Sequence, residues 1–389
     1  MVTANRLGKS MGAEAPTTGS LFGELKERLS AGGPMTFAEY MHQALYHPKF
    51  GYYINQVPGD GAHYATSPSV SPWFGRLVAR ELLRMWEALG RPDPFTVFEM
   101  GAGQADLAAG AMEAAGPMSH ALRWRFVERF PAVIELQRRR LGRAADRAEW
   151  ASAIDEFGPA TGCILANEVF DNFPVHLLCG LGDGEVGEVY VGLDGERLVE
   201  IVGPLSDPAL SAPARAALPH LSEGDRFEVC PGLEQWCRDA FRSLERGYLL
   251  VIDYGDEEPD ILSMGAGGTI ATFGPMGSGR PWLEHPGLQD ITADVNFSAL
   301  ARAARRAGFE PRPVVNQGPW LLSLGVLDIA HRLYRAAEQA VEAGWHQNAV
   351  GLFAERSQVL KLAAEGGLGE AVVLMAAKDA PLTWIAETG

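Results

Sequence analysis

The chain has 389 residues, 47% of them hydrophobic and 21% charged, which is enough to bury a large core and allows two domains or one decorated domain. A formal net charge of -16 argues against a nucleic-acid partner, because phosphate neutralisation needs a basic face. Four scattered cysteines (Cys163, Cys179, Cys230, Cys237) form neither a disulfide framework nor a Cys-x-x-Cys pair, so a reducing, cytoplasmic setting is expected and no metal is implied. No apolar run reaches the ~18 residues of a membrane span, so no membrane partner is expected.

Residues 1–18 are small and polar and read as a loose terminus. A helical extension is expected over 19–90. Its first helix covers Leu21 to Leu29 and breaks at Gly32-Gly33-Pro34. Thr36, with Glu39 three residues later, has the capping-box pattern for a second helix from Phe37 to Leu45. An aromatic, turn-rich stretch follows from His47 to Tyr53. After a Pro-Gly-Asp-Gly turn at 58–61 come His63, Tyr64 and then Thr66-Ser67-Pro68, with Ser71-Pro72 just before an amphipathic helix over about 73–89. Hydroxyls in that place either cap the helix or present its start to a polar ligand.

Residues 91–180 read as a nucleotide-binding core. A strand over 95–100 leads into the small-residue turn Gly101-Ala102-Gly103 and a helix over 104–115, so backbone N–H groups can approach a ligand closely. Glu99 is the last acidic residue of that strand. A second strand, 122–127, ends in Glu128, 25 residues after Gly103, where a carboxylate can accept hydrogen bonds from two ribose hydroxyls. A helix over 131–141 and an intervening segment precede the strand Cys163–Ala166, which ends in Asn167-Glu168-Val-Phe-Asp171. Strands alternating with helices predict a parallel sheet covered on both faces, with these polar strand ends meeting at one crevice.

Alternating residues and Gly-Asp-Gly turns predict a β insertion over 181–231. The remainder of the core, 232–389, resumes with a helix at 232–244 and a very apolar strand, Tyr248–Ile252, ending in Asp253-Tyr254-Gly255. Glycines and prolines crowd 256–290, which reads as a lid over the crevice.

Several of these segments together resemble the MidA family of S-adenosylmethionine-dependent methyltransferases. The resemblance spans about residues 35 to 378. It is carried by Ala44-Leu-Tyr-His-Pro48 and Gly51-Tyr-Tyr53, Thr66-Ser67-Pro68 with Phe74-Gly75, Glu99-Met-Gly-Ala-Gly103, Val127-Glu128 with Gln137, Ala166-Asn-Glu-Val-Phe-Asp171 with Pro174, Asp253-Tyr-Gly255, and Asp290-Ile-Thr292. It implies a class I methyltransferase fold, a Rossmann-like, mostly parallel seven-stranded sheet with helices on both faces, holding S-adenosyl-L-methionine in the crevice. By matching position Gly101, Ala102 and Gly103 would pack on the methionine part, Glu128 would hold the ribose, Asn167 would lie near the reacting methyl, and Thr66, Ser67 and Pro68 would line the site. Glu99 falls within the same set.

The implied reaction is methyl transfer to an N or O nucleophile, an arginine side chain of a protein among them. Glu168 and Asp171 are the candidates for gripping the acceptor or taking its proton, with His63 as a further candidate base. The chain departs from the family pattern at Ala62-His63, Ser69, Ala105, Asn296 and the Gly268-Thr-Ile segment. These departures leave the acceptor open between a protein and a small molecule. A noncatalytic cofactor-binding assembly protein and a nicotinamide-dependent oxidoreductase are the competing readings, the latter weakened by the missing third glycine. The sequence leaves oligomeric state open, a homodimer included.

Overall fold

The computed structural model describes residues 20–55, 66–275 and 277–382. The candidate base His63, the turn at 58–61 and the loose N-terminus lie outside the described residues.

The central sheet follows from four apolar runs and one short edge strand, Ala148–Ala151. Strands β1 (Phe95–Met100), β2 (Leu122–Val127), β3 (Ala148–Ala151), β4 (Ala160–Asn167) and β5 (Leu244–Asp253) are parallel neighbours in the order β3-β2-β1-β4-β5. Helices Asp106–Glu113 and Pro131–Leu141 cross from β1 to β2 and from β2 to β3. Strand order reverses between β1 and β4, which opens a crevice beyond their carboxyl ends.

Period-two alternation decides what each face buries. Phe95, Val97, Cys163, Leu165, Tyr248, Leu250 and Ile252 point into one core, shared with helices Trp73–Ala88, Asp106–Glu113 and Val326–Glu342. Phe98, Ile164, Ala166, Leu249 and Val251 point into the other, under helices Gly232–Ser243 and Phe297–Ala307. Burial on both faces explains why β4 and β5 are apolar without a break.

The far edge differs from the seven strands expected. Glu310–Pro311 (β6) and Val315–Asn316 (β7) are separate two-residue pieces, both antiparallel to β8 (Val372–Lys378), which in turn runs antiparallel to β5; the sheet therefore has eight strands. Pro311 and Pro313 lack the N–H that a continuous ladder needs, so one edge strand is split in two.

The β insertion starts earlier than expected, at His176. Strands His176–Gly182, Glu185–Asp194, Arg197–Gly203 and Arg226–Val229 form an antiparallel sheet that also takes Met35–Thr36 from the N-terminal extension. Leu21, Leu25 and Leu29 on one helix, and Phe37, Tyr40, Met41 and Ala44 on the next, fill its core. The second helix carries the expected capping box: Glu39 N–H donates to Thr36 Oγ1 at 3.1 Å, and Thr36 N–H donates to Glu39 Oε2 at 3.0 Å. Segment 256–290 packs on this same body: Ala271–Phe273 pairs with Asp290–Thr292, and Trp282 meets Phe37 edge-on at 4.6 Å. Among the described residues no helix is long and apolar enough to cross a membrane.

Candidate active site

The turn after β1 holds Gly101, Gly103 and Ala105 at φ of 58°, 52° and 64°. A Cβ on Gly101 would sit 3.2 Å from Val169 Cγ2 in a left-handed conformation, so glycine is required there. Ala105 adopts the left-handed region at the start of helix Asp106–Glu113, a conformation that glycine takes more easily. Gln137, fully buried, fixes the turn: its Nε2 donates to Gly103 O at 2.9 Å while Trp150 Nε1 donates to its Oε1 at 2.8 Å.

Two acidic residues flank this turn. Glu99 is buried, accepts from Trp124 Nε1 at 2.7 Å, and is pushed by burial up to about 8. Glu128 at the end of β2 accepts from the Phe130 N–H at 3.0 Å; burial raises its pKa as well.

The end of β4 supplies the other wall. Glu168 has φ of 52°, and its N–H donates to Ile252 O at 2.8 Å, tying β4 to β5 where the chain leaves the sheet. Its Oε1 accepts from Ser67 N–H at 3.1 Å and from Asn167 Nδ2 at 3.3 Å. Burial, then the charge of Asp253, pushes Glu168 up to about 8. Asp171 lies on the short 3-10 turn Phe170–Asn172, which hangs from the Asp253 carboxylate. Asp253 Oδ2 accepts from the N–H groups of Val169 at 3.0 Å, Phe170 at 2.8 Å and Asp171 at 3.4 Å, and Oδ1 from Tyr254 N–H at 2.9 Å. Burial pushes Asp253 up to about 7 even so. Asp171 stands well above the usual carboxylate range, first by burial and then by the charges of Asp253, Asp290 and Glu168.

These walls enclose a cavity of about 540 Å³. Thr66, Pro68, Glu99, Gly101, Ala102, Gly103, Glu128, Asn167, Glu168 and Asp171 all line it, as the sequence led one to expect. Ser67 does not line it: its hydroxyl turns away to Gln317, and its backbone N–H serves Glu168 instead. Among the described residues none of the expected lid, 256–290, lines the cavity either; apolar side chains of that segment pack on the insertion body.

Other lining residues were not legible. Ser152 to Asp155 follow β3, a strand of four residues too short to stand out in the intervening segment. Tyr46, Tyr53, Arg129, Trp236 and Asp239 reach the cavity from helices and turns whose periodicity speaks only of packing. Tyr46 and Tyr53 stack at 5.7 Å; Tyr46 OH donates to Asn172 O at 3.0 Å, and Tyr53 OH donates to Asp290 at 3.1 Å.

The lining is strongly acidic. Among the described residues seven carboxylates line the cavity against one guanidinium, that of Arg129. Two oxygens on this wall, Asn167 Oδ1 and Asp171 Oδ1, are buried without a hydrogen-bond partner. Buried acceptors left in that state are costly unless a ligand brings donors. A cationic ligand rich in N–H groups would satisfy both charge and hydrogen bonding.

Comparison with known proteins agrees with this geometry. Residues 77–315 match a family model described as "Putative S-adenosyl-L-methionine-dependent methyltransferase". A mitochondrial protein arginine methyltransferase, the NDUFAF7 homolog of Drosophila melanogaster, is 30% identical over 75% of this chain and 71% of its own length. The Homo sapiens mitochondrial protein arginine methyltransferase NDUFAF7 is 27% identical over 81% of this chain and 75% of its own. A COG1565 superfamily member from Burkholderia thailandensis, crystallised with S-adenosyl-homocysteine, superposes with a TM-score of 0.79 at 28% identity, covering 92% of this chain and 91% of that one.

These relatives correct one expectation. The cytoplasmic setting inferred from scattered, unpaired cysteines is overturned, because the matching curated relatives are mitochondrial proteins; reduced cysteines report redox chemistry and do not identify a compartment. With the family model spanning most of the sheet and its crevice, the chain belongs to this methyltransferase family and is an S-adenosyl-L-methionine-dependent enzyme.

Proposed function

We propose that the acceptor is the guanidinium of a protein arginine side chain, gripped between Glu168 and Asp171. The observation that carries this reading is the pair of half-buried carboxyl groups on the β4 wall, one with a buried, unpartnered Oδ1, in a lining where acids outnumber bases seven to one among the described residues. Planar guanidinium matches carboxylate oxygens in a bidentate fork, which a hydroxyl acceptor does not. The names of the Drosophila and human relatives point the same way. Acidic lining and a net charge of -16 also disfavour nucleic acid as the acceptor.

The residue roles are those the family resemblance implies, and the cavity lining is compatible with them. Glu128 would accept from the ribose hydroxyls, the Gly101–Gly103 turn would pack on the methionine part, and Asn167 would lie near the methyl. Thr66 and Pro68 close the cavity from the extension. The bound cofactor supplies a methyl already activated on a sulfonium. Glu168 and Asp171 hold the attacking nitrogen in line at about 3 Å, an arrangement that can supply roughly 7–11 kcal/mol of the barrier.

Proton bookkeeping fits as well. With no cation beside it, Glu168 is kept largely protonated near neutrality by burial. A guanidinium brought within about 4–6 Å favours the ionised form, so the acceptor's entry releases a proton and leaves a carboxylate able to take the one that the nitrogen sheds.

The test is to incubate the enzyme with methyl-labelled S-adenosylmethionine and cell extract, split the products into protein and small molecules, and hydrolyse the protein fraction. Label in methylarginine is the expected result. Label confined to small molecules would make this a small-molecule methyltransferase, and no transfer at all would leave a cofactor-binding protein without catalysis.

A further inference from the structure

Gln317 is fully buried in the helix Gln317–Ser323, beyond the end of the matched family region and outside the cavity lining. Its side chain is fully engaged. Nε2 lies within donating distance of Leu362 O and Leu368 O, each at 2.9 Å, and of Ser67 Oγ at 3.0 Å. The Ser67 hydroxyl in turn lies 3.4 Å from Oε1, so the amide holds it from both ends. Its backbone N–H donates to Ala371 O at 2.6 Å, at the entry to β8, whose first residue Val372 pairs with Asp253. One side chain thus clamps the C-terminal connection and reaches the Thr-Ser-Pro segment of the N-terminal extension, 250 residues away in sequence.

Ser67 continues the chain of contacts. Its hydroxyl faces Gln317, and its backbone N–H donates to Glu168 Oε1 at 3.1 Å. Asn167 Nδ2 is the other donor to that oxygen, at 3.3 Å. Resting on the reading of Glu168 given above, we infer that Gln317 and Ser67 are positioning residues: a buried relay that sets the Ser67 amide against Glu168 and thereby fixes the orientation and proton affinity of its carboxylate.

The physical reason is the direction of the final bond. An N–H donor stabilises the ionised carboxylate over the acid, opposing the desolvation that raises Glu168. Ser67 N–H belongs to a four-residue helix, Ser67–Val70, too short to hold its own place, so something outside it must do so. Gln317 is rigid on three counts: full burial, two carbonyls and a backbone bond into the sheet. Loosening the hydroxyl tether lets the amide drift and pushes Glu168 further toward the protonated form.

The experiment uses the full chain and infrared titration of the carboxylic-acid C=O band that is lost in Glu168→Gln. Ser67→Ala, which removes only the hydroxyl, and Gln317→Ala are each expected to move the midpoint of that band upward by about one pH unit, a tenfold change in proton affinity. Binding of S-adenosylmethionine, measured by calorimetry, should stay within about twofold. Ser67→Ala in the Glu168→Gln background should add nothing to the loss of methyl transfer from labelled S-adenosylmethionine to the extract protein fraction. If Gln317→Ala does not fold, Ser67→Ala carries the test. A Ser67→Ala midpoint equal to wild type overturns the relay even if Glu168→Gln is inactive. A shifted midpoint with Glu168→Gln fully active keeps the relay and removes Glu168 from the mechanism.

Discussion

Glu168 shows how a single carboxyl is tuned by opposing influences. Burial and the Asp253 charge raise it, while the Ser67 and Asn167 donors pull it back, and the balance lies at about 8. Its free-enzyme ionisation should therefore show in turnover. If the ionised form is what grips the acceptor, kcat/KM rises with pH through about 8, because below that value the resting enzyme holds an acid where a carboxylate is needed. Glu168→Gln should lose turnover by at least about tenfold, or ~1.4 kcal/mol, with cofactor affinity retained, and its pH profile should be flat where wild type climbs. Steady-state rates across pH check both; a wild-type rate in the variant removes Glu168 from the chemistry. At this scale the sequence pointed to a strand end that lines the cavity. It could not show that Ser67 faces away, since a hydroxyl near a glycine turn has no direction until the fold supplies one. Nor could it show that Asp253 holds the Asp171 turn, a bond across 82 residues.

Helix Trp73–Ala88 follows the short Ser67–Val70 helix of the Thr-Ser-Pro stretch, and helix Asp106–Glu113 follows the glycine turn; both preceding segments line the cavity. The crossing of the two helices is set by Gly75 and Gly110. A Cβ on Gly75 would lie 2.3 Å from Leu107 O, and one on Gly110 would lie 2.8 Å from Pro72 O and 3.2 Å from Gly75 Cα. Backbone cannot yield as a flexible side chain can, so Gly75→Ala must part the helices. The expected cost is about 1–3 kcal/mol of stability, together with weaker cofactor binding, because both cavity edges move. Gly351→Ala is the contrasting case, on helix His346–Lys361 with open space around the added methyl; helix propensity makes it neutral or stabilising by up to about 1 kcal/mol. Denaturant unfolding and calorimetric titration of the pair decide the point, and equal stability at Gly75 would refute close packing there. Elements of this length were legible because apolar period and caps agree, as in Thr36 with Glu39. The four residues of β3 and the proline-split edge strand were not, because two to four residues give no period and their pairing is chosen by the neighbouring strand.

Taken whole, the molecule is two packed bodies around one acidic hollow: a doubly covered sheet, and a β insertion roofed by the N-terminal helices. The alternation of strands and helices announced the first. The union of the insertion with Met35–Thr36 did not show, because its register, Met35 with Val191 and Thr36 with Tyr190, joins distant stretches. The hollow has a thermodynamic signature. Glu99 and Glu168 are held up to about 8 and Asp253 up to about 7, with Asp171 also raised, whereas in the unfolded chain such groups titrate near ~4. Above about pH 4.5 the unfolded chain has shed these protons and the folded one still binds them. Unfolding free energy therefore falls as pH rises, from about 4.5 through about 8. Half-buried, ion-paired acids such as Glu258, whose pKa is lowered by Arg302, act in the opposite sense, but their change is complete below about pH 5. The melting temperature of the ligand-free enzyme should accordingly drop between about pH 6 and pH 8.5. S-adenosylmethionine, a cation, should raise it more at the higher pH, where the carboxylates it meets are ionised. Scanning calorimetry at both pH values, with and without the cofactor, measures the two together. A melting temperature that climbs toward pH 8.5 in the empty enzyme would mean that these carboxyls are already ionised near neutrality, and the proton release assigned to acceptor entry would go with them.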